Sequence, residues 1–170
     1  MWRRRNKTGG GKGSNQYRIR GRAKRLSLSS YMQQQWELDR RCWQANNVHA
    51  SRRVLASLAT DPDPEVRLRL AQNTKCPPQA VAVLAKDEDA GIRRNAAVHQ
   101  ACPLDTLMQL AKDEDTGVRY YVTLNPACPP QTLAELALDN DQRTREGARE
   151  MIRRRSDIPE HYKAMIALSE

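Results

Sequence analysis

The sequence repeats with a period of 26 residues between Leu58 and Leu136, and this period restricts the fold more than any other feature. Four columns keep one residue type in all four copies: leucine (Leu58, Leu84, Leu110, Leu136), aspartate (Asp61, Asp87, Asp113, Asp139), aspartate again (Asp63, Asp89, Asp115, Asp141) and arginine (Arg67, Arg93, Arg119, Arg145). Such regularity indicates a stack of equivalent units that bury their apolar faces against one another.

Each unit contains the signals of two short helices. The first helix is expected to begin at the Asp-rich turn, because carboxylates suit a helix N-terminus, and to end near Asn73, His99 or Asn125. Apolar pairs spaced i, i+4 predict its buried face: Val66 and Leu70, Ile92 and Ala96, Val118 and Val122.

The second helix is expected to begin at each Cys-Pro pair, because proline fits the first helical turn. Three polar residues that follow the cysteines resemble the partner of a capping box: Gln79, Asp105 and Gln131. The fourth copy departs from the period by about three residues, so that residues 157–160 take the place of residues 128–131. A terminal repeat is often atypical because it caps the stack.

A complete copy of the pattern lies in residues 110–137: Leu-Ala-x-Asp-x-Asp-x-x-Val-Arg, then Asn-Pro-x-Cys-Pro-Pro-x-x-Leu-x-x-Leu-Ala. It resembles the leucine-rich repeat variant family, whose members are similar to HEAT solenoids and alternate an α-helix with a 3₁₀-like helix in a right-handed superhelix. The resemblance is close over residues 58–138 and looser over 139–164. It implies an all-α protein, a short right-handed α-solenoid of about four 26-residue two-helix repeats over residues 58–170.

Residues 29–57 are predicted to form an N-terminal capping helix and a degenerate first unit. Ser30 and Gln33 suggest a capping box at its start. One helical face contains Met32, Trp36 and Trp43. A second face contains Tyr31, Leu38 and Cys42. One of the two faces is expected to cover the first repeat. The contact of the other is either the returning chain near residues 48–55 or a partner subunit, so a homodimer through helix 30–46 stays open.

Stacking explains the arginine and cysteine columns better than ligand binding does. Each arginine is expected to bond an aspartate of its own or a neighbouring repeat, forming a ladder. Equivalent positions in stacked helices lie about 10 Å apart, whereas a disulfide needs Cα atoms within about 7 Å. Some members of the resembled family carry an N-terminal cluster domain, but this chain has no Cys-x-x-Cys pair. We therefore predict buried, reduced thiols, with no metal, no cofactor and a cytoplasmic location.

Catalytic signals are few, and the protein is predicted not to be an enzyme. His49, His99 and His161 occupy different columns, and a helix-end cap is the expected role of His99. Residues 9–14 lack the Lys-Ser order and the preceding strand of a phosphate loop. Some HEAT-like folds act as DNA glycosylases, but the tryptophans here precede the repeats and have the spacing of core residues. No apolar run is long enough for a membrane span, and no membrane partner is expected.

Residues 1–28 are expected to form a disordered basic arm. It contains no acidic residue and ten basic ones: Arg3, Arg4, Arg5, Lys7, Lys12, Arg18, Arg20, Arg22, Lys24 and Arg25. Residues 26–170 hold 19 basic and 20 acidic residues, so the net charge of +9 comes from the arm. Such an arm gains affinity for phosphates by releasing counterions, and Trp2 and Tyr17 can stack on bases.

The positions that follow the arginine column vary between copies, which makes them available for recognition. On this basis Arg69, Arg94, Tyr120 and Tyr121 are candidate contacts to nucleic acid. A second basic cluster lies near the end of the chain: Arg149, Arg153, Arg154 and Arg155. We predict a binding protein that contacts DNA or RNA through its arm and its repeat surface. The alternative is a protein-interaction adaptor whose basic arm and solenoid bind an acidic protein partner.

Overall fold

The computed structural model describes residues 28–168, and all secondary structure within that range is helical. The chain divides into two units, Met1–Asp39 and Arg40–Glu170. The helices are α1 (Leu28–Asn46), α2 (Arg52–Leu58), α3 (Pro64–Gln72), α4 (Pro78–Leu84), α5 (Ala90–Val98), α6 (Leu104–Leu110), α7 (Thr116–Thr123), α8 (Pro130–Leu136), α9 (Gln142–Arg154) and α10 (Glu160–Ala167). The predicted all-α helical-repeat fold is confirmed. No helix of residues 28–168 is long and apolar enough to cross a membrane.

Within the second unit, helices of successive repeats pack in register. The first helices of the repeats, α3, α5, α7 and α9, lie side by side, and the second helices α4, α6 and α8 each contact the first helix of their own repeat and of the next. Helices of seven to nine residues are marginal in isolation. They are therefore stabilised by the apolar core that the stack shares.

The predicted core columns are buried. Val66 and Leu70 of α3 are inaccessible to solvent, and the equivalent pairs of α5 and α7 are buried equally well. In the second helices, the column that contains Val81, Leu107 and Leu133 is also inaccessible. Burying a side chain of this size contributes about 1.5–3 kcal/mol relative to leaving it exposed.

Both aspartates of each turn have a structural use. In the first repeat, Asp63 is the N-cap of α3, and its Oδ1 accepts the backbone N–H of Glu65 at 2.9 Å. Two residues earlier, Asp61 Oδ1 accepts the N–H of Asp63 at 3.0 Å. At the next three turns the first aspartate makes the same contact, and the second aspartate accepts the N–H of Gly91 in α5, of Val118 in α7 and of Thr144 in α9. The predicted start of the first helix is therefore confirmed.

The second helices begin one residue later than predicted, and the predicted capping boxes are wrong. The N-cap of α4 is Pro77, in extended backbone, and no side chain caps the helix. Pro103 and Pro129 take the same position in α6 and α8. Because proline has no side-chain oxygen, Gln79, Asp105 and Gln131 have no Ser or Thr cap to reciprocate. The capping box predicted at Ser30 is also wrong, because α1 already includes Leu28.

The second helices are α-helical. The family resemblance had implied a 3₁₀-like second helix, and this expectation is wrong. In α4, for example, the N–H of Ala85 donates to the carbonyl of Val81 at 2.9 Å, an i→i−4 bond. The same bond closes α6 at Ala111 and α8 at Ala137. Each repeat of the stack is therefore a pair of α-helices.

The last repeat differs from the others by one helical turn. Helix α9 has 13 residues, whereas α3 and α5 have nine. The last repeat is therefore displaced from the 26-residue period by four residues, whereas about three were predicted. The reason is that an insertion of about 3.6 residues, one helical turn, keeps the buried face of a helix in phase. Ile158 consequently takes the buried position that Cys128 holds in the preceding repeat, and Pro159 is the N-cap of α10.

The repeat also extends further towards the N-terminus than residue 58. Arg41 lies 26 residues before Arg67, and its Nε contacts Asp61 Oδ2 at 2.9 Å. Leu55 lies 26 residues before Val81 and is inaccessible to solvent. The end of α1 together with α2 thus forms one more two-helix unit, in agreement with the unit boundary at Arg40.

Candidate nucleic-acid interface

The arginine column forms the predicted ladder, with each rung joining consecutive repeats. Arg67 donates from Nε and Nη2 to the two carboxylate oxygens of Asp87, at 2.7 and 3.0 Å. The rungs Arg93–Asp113 and Arg119–Asp139 have the same geometry. The third nitrogen of Arg67, Nη1, donates back to the carbonyl of Asp61 at 2.9 Å. Each guanidinium therefore fixes its own turn and holds the next one.

The rungs leave little charge for a ligand. The side chains of Arg67 and Asp87 are 11% and 6% exposed. Hydrogen bonds from Arg119 lower the pKa of the Asp139 carboxyl and outweigh the effect of its burial. For Asp87, burial alone would raise the pKa, but hydrogen bonds from Arg67 and from the N–H of Asp89 lower it overall. These aspartates are ionised partners of arginine, so the arginine column is structural.

A second column of inter-repeat bonds lies where the first helices end. Asn73 Nδ2 donates to the carbonyl of Ala45 at 2.7 Å, and Asn125 Nδ2 donates to that of Ala97 at the same distance. His99 is the C-cap of α5, as predicted. Its Nδ1 accepts the N–H of Ala101 at 3.0 Å, so Nε2 carries the proton that reaches the carbonyl of Asn73 at 2.9 Å.

The cysteine column lies in the core, as predicted. Cys76, Cys102 and Cys128 are buried free thiols. Burial raises the pKa of Cys76 to about 11 and that of Cys102 to about 12. In Cys128 burial outweighs the nearby Arg155 and raises the pKa to about 12. Residues 28–168 contain no group of three or more side chains placed to hold a metal ion.

The candidate residues Arg69 and Arg94 are half-exposed, and both already have carboxylate partners. Arg69 Nη2 contacts Glu65 at 2.7 Å within α3. Arg94 donates from Nε and Nη2 to both oxygens of Asp115, at 3.0 and 2.8 Å. A Cβ on Gly117 would lie 2.6 Å from Arg94 Nε, so the glycine makes room for this pair. A phosphate would have to compete with Asp115 for Arg94.

The two candidate tyrosines, Tyr120 and Tyr121, lie together beside Arg143, which was not among the predicted contacts. The guanidinium carbon of Arg143 lies 4.1 Å from the centre of the Tyr120 ring. Tyr121 packs edge-on against Tyr120, with ring centres 5.8 Å apart, and remains 37% exposed. Gly147 admits this arrangement, because a Cβ there would lie 3.0 Å from the Tyr120 ring. The only sequence signal for Arg143 is that it replaces glycine, since Gly91 and Gly117 precede it at intervals of 26.

The C-terminal basic cluster is largely neutralised. Arg154 Nε contacts Glu150 at 2.6 Å, and Arg153 Nη1 lies 4.0 Å from the same carboxylate. Arg149 Nε donates to the carbonyl of Ala137 at 3.2 Å. Arg155 contacts Asp157 at 2.6 Å and donates from Nη1 to the carbonyl of Cys128, also at 2.6 Å. Arg155 is thus a structural link between repeats.

The prediction that Trp36 and Trp43 are core residues is wrong. Trp36 and Trp43 are 66% and 67% exposed, and Met32 is exposed as well. In the second unit, α1 packs through Ala45, which is inaccessible to solvent, and Arg41 forms an ion pair with Asp61 from its Nε at 2.9 Å. The sequence indicates this face through Arg41, which lies one repeat period before Arg67.

The basic residues of the predicted arm, Arg3 to Arg25, lie outside the described residues, as do Trp2 and Tyr17. Residues 28–168 contain 19 basic and 19 acidic residues. The described solenoid is therefore balanced in charge, and the unopposed positive charge belongs to the segment before it.

No protein-family model matches the chain, and no curated protein matches it. Among solved structures, the chain is similar to one described as a leucine-rich repeat variant with a novel repetitive protein structural motif. The two are 21% identical, with a TM-score of 0.31, over 75% of this chain and 64% of the other. The match thus spans less than two thirds of the length of that protein.

Proposed function

We propose that this chain is a non-enzymatic nucleic-acid-binding protein with a repeat of the leucine-rich repeat variant type. The charge distribution carries the proposal. Ten basic residues stand unopposed between Arg3 and Arg25, whereas residues 28–168 are balanced and most of their exposed candidate arginines contact carboxylates. Phosphate contacts by the arm supply the affinity. The buried free thiols are compatible with the cytoplasmic location that we also propose.

The solenoid contributes one local surface to this interaction. Arg143 is exposed and contacts no carboxylate in residues 28–168, because it lies on the Tyr120 ring instead. Tyr121, beside it, presents an exposed ring. A cation next to an aromatic ring suits a phosphate and its stacked base. Arg94 joins this surface only if a phosphate displaces Asp115.

The test is a salt titration of full-length protein against duplex DNA and single-stranded RNA at about 50 and about 200 mM salt. It is repeated with the ten basic residues of the arm changed to Gln and, separately, with Arg143→Gln. Each phosphate contact adds about 0.9 to the salt slope on duplex DNA and about 0.7 on single strands. We expect the arm variant to lose several units of slope and Arg143→Gln to lose about one. Absence of binding at about 50 mM salt would contradict the proposal.

The second candidate function is a protein-interaction adaptor, and α1 supplies the observation that favours it. Trp36 and Trp43 expose about two thirds of their surface, and exposed aromatic groups of this size commonly mark protein contacts. A second copy of the chain, bound through residues 30–46, is one such partner. Sedimentation of the wild type and of Trp36→Ser/Trp43→Ser tests this, because a dimer held by α1 would dissociate in the variant. A wild type that stays monomeric at about 100 μM contradicts the homodimer.

A further inference from the structure

Asparagine side chains join the ends of successive first helices, each through two hydrogen bonds. Asn125 Nδ2 donates to the carbonyl of Ala97 at 2.7 Å and to that of His99 at 3.1 Å. Asn73 makes the equivalent two contacts with the unit before it. One amide nitrogen has two hydrogens and can therefore satisfy two carbonyls. The joint between these two has no asparagine, because His99 takes its place.

The His99 joint leaves the backbone carbonyl of Ala71 without a donor. Ala71 precedes Ala97 by 26 residues, so its carbonyl is the one that an asparagine at this joint would reach. The ring of His99 has one N–H, at Nε2, and this group lies 2.9 Å from the carbonyl of Asn73. No residue of the range 28–168 donates to the Ala71 carbonyl, although Ala71 is only 2% exposed. Unpaired acceptors at buried residues are rare.

Ala71 also lines a pocket of ≈ 320 Å³ between the C-terminal ends of α3 and α5. Its other lining residues are neutral or apolar: Gln72, Thr74, Asn95, Val98, His99 and Gln100. Asn95 Nδ2 donates to the carbonyl of Gly91 at 2.7 Å, and nothing in the described part of the chain donates to Asn95 Oδ1. The pocket is far larger than the about 10–15 Å³ that one water needs. It therefore combines room for a ligand with hydrogen-bond acceptors that need donors.

This lining suits the base of a nucleotide and not its phosphate. None of the lining residues is Lys or Arg, so a phosphate would meet no positive charge there. An adenine base is neutral and planar, and its N6 amino group supplies N–H donors. Asn and Gln are the side chains that pair with the edge of adenine. Val98, which is 36% exposed, adds an apolar wall against which a ring can lie.

The pocket lies on the same row of helices as the surface of Tyr121 and Arg143. Asn95 in α5 and Tyr121 in α7 are equivalent residues of helices that pack together. Such helices are about 10 Å apart, a distance that a few nucleotides of a single strand cover. One strand can therefore contact Arg143 and also place a base in the pocket.

We propose that this pocket binds an unpaired adenine base of a single-stranded nucleic acid. The Ala71 carbonyl accepts an N–H of the N6 amino group, and the amides of Gln72 and Gln100 bond to ring nitrogens. A base inside a duplex has its amino group paired and cannot enter, so the pocket selects single strands. This inference rests on the proposed nucleic-acid binding and narrows it to unpaired adenine.

The probe is a 12-nucleotide uridine strand with one adenosine at its centre. The matched control strand has purine in place of that adenine, which removes the amino group and keeps the ring. The affinity of full-length protein for both strands is measured at about 50 mM salt. We expect the purine strand to bind about fivefold more weakly, as suits the loss of one hydrogen bond. Equal affinities overturn the inference and leave the proposed function standing, whereas no binding of either strand overturns both.

The variant His99→Asn supplies the missing donor from the protein itself. Its amide should bond to the Ala71 carbonyl as Asn125 bonds to that of Ala97, so the preference for adenosine should disappear. Its thermal unfolding midpoint should not fall below that of the wild type, which separates this effect from misfolding. A preference that persists in the folded variant overturns the inference.

The carbonyl ¹³C resonance of Ala71 in the full-length wild type reports the contact directly. We expect it to shift with the adenosine strand and not with the purine strand. The Ala97 carbonyl is the internal control and should not shift, because Asn125 already donates to it. If the Ala71 resonance shifts with neither strand, or shifts more with an asparagine-containing peptide, the pocket is not an adenine site.

Discussion

Arg119 and Arg145 stand one period apart and have the same kind of backbone anchor, but among residues 28–168 a carboxylate of a following repeat meets Arg119 and not Arg145. In the middle of the stack, the charged column is therefore closed. At Arg145, no residue of the range 28–168 accepts a hydrogen bond from Nε or Nη2. The comparison shows that an arginine of this column closes a rung only where a carboxylate of another repeat meets its Nε and Nη2.

The middle of the stack should be the part most sensitive to core changes. Leu107 of α6 is inaccessible to solvent, so Leu107→Ala should lower the free energy of unfolding by about 2–5 kcal/mol through lost burial and a cavity. Leu104 lies in the same helix and is exposed, so the same change at Leu104 should cost under about 1 kcal/mol. Urea unfolding followed by circular dichroism measures both. Equal losses would contradict the core assignment.

Loss of Arg119 and loss of Arg145 should differ in their effect on stability. Arg119→Met leaves Asp139 mostly buried without its partner, which should cost about 2–4 kcal/mol, towards the lower end of values for buried pairs because solvent reaches the rung. Arg145→Met breaks only bonds to carbonyls and should cost about 1 kcal/mol. Chemical denaturation of both variants gives the comparison. If Arg145→Met were as destabilising as Arg119→Met, the last rung would also be closed.

The contact between the last two repeats leaves no room for a side chain at Gly147. Gly147→Ala would place a Cβ 2.9 Å from Thr123 Oγ1 and 3.0 Å from the Tyr120 ring, so we expect a loss of about 1–3 kcal/mol. Gly91→Ala is the matched control, because its Cβ would approach only the Asp89 side chain and alanine favours the helix. Thermal unfolding should show no loss for the control. A stable Gly147→Ala variant would contradict the packing of Tyr120 against α9.

Acid should weaken the rung between Arg119 and Asp139. The pKa of Asp139 is lower in the folded state than its ordinary value, because Arg119 donates to it. Its contribution to stability is therefore present above about pH 4 and is lost as the pH falls through the folded pKa. The double variant Arg119→Met/Asp139→Leu lacks this group, so its stability should fall less than that of the wild type between about pH 4 and pH 2. Identical pH profiles would exclude the rung as an acid-sensitive element.

The 26-residue period predicted those parts of the fold in which the residues at equivalent positions of the repeats all have the same structural role. The Asp-initiated helices, the buried i, i+4 pairs, the ladder and the core cysteines all follow from equivalent positions meeting in a stack. Capping was predicted wrongly at Pro77 and its equivalents, because a motif match does not reveal which residue first adopts helical geometry. The extra turn of α9 was misjudged by one residue, since the slipped copy matches the others at few positions.

The surface was harder to predict than the core. Arg94 and Arg154 qualified as candidate ligand contacts by charge, but their carboxylate partners lie on a neighbouring repeat or one turn away. Sequence position alone does not show that Arg94 spans to Asp115, because Gly117 makes the necessary room. Trp43 points outwards because Arg41 and Ala45 of the same helix face the stack. Helical periodicity does not show which of the two apolar faces of α1 is buried.

The most direct test of the closed ladder is a double-mutant cycle on one rung, with Arg119→Gln, Asp139→Asn and the double variant measured by urea unfolding. Residues joined by two hydrogen bonds across a mostly buried contact should have a coupling energy of about 1–3 kcal/mol. That value would show that the rung binds one repeat to the next. A coupling below about 0.3 kcal/mol would mean that the two side chains act independently, and it would contradict the assignment of the arginine column to structure.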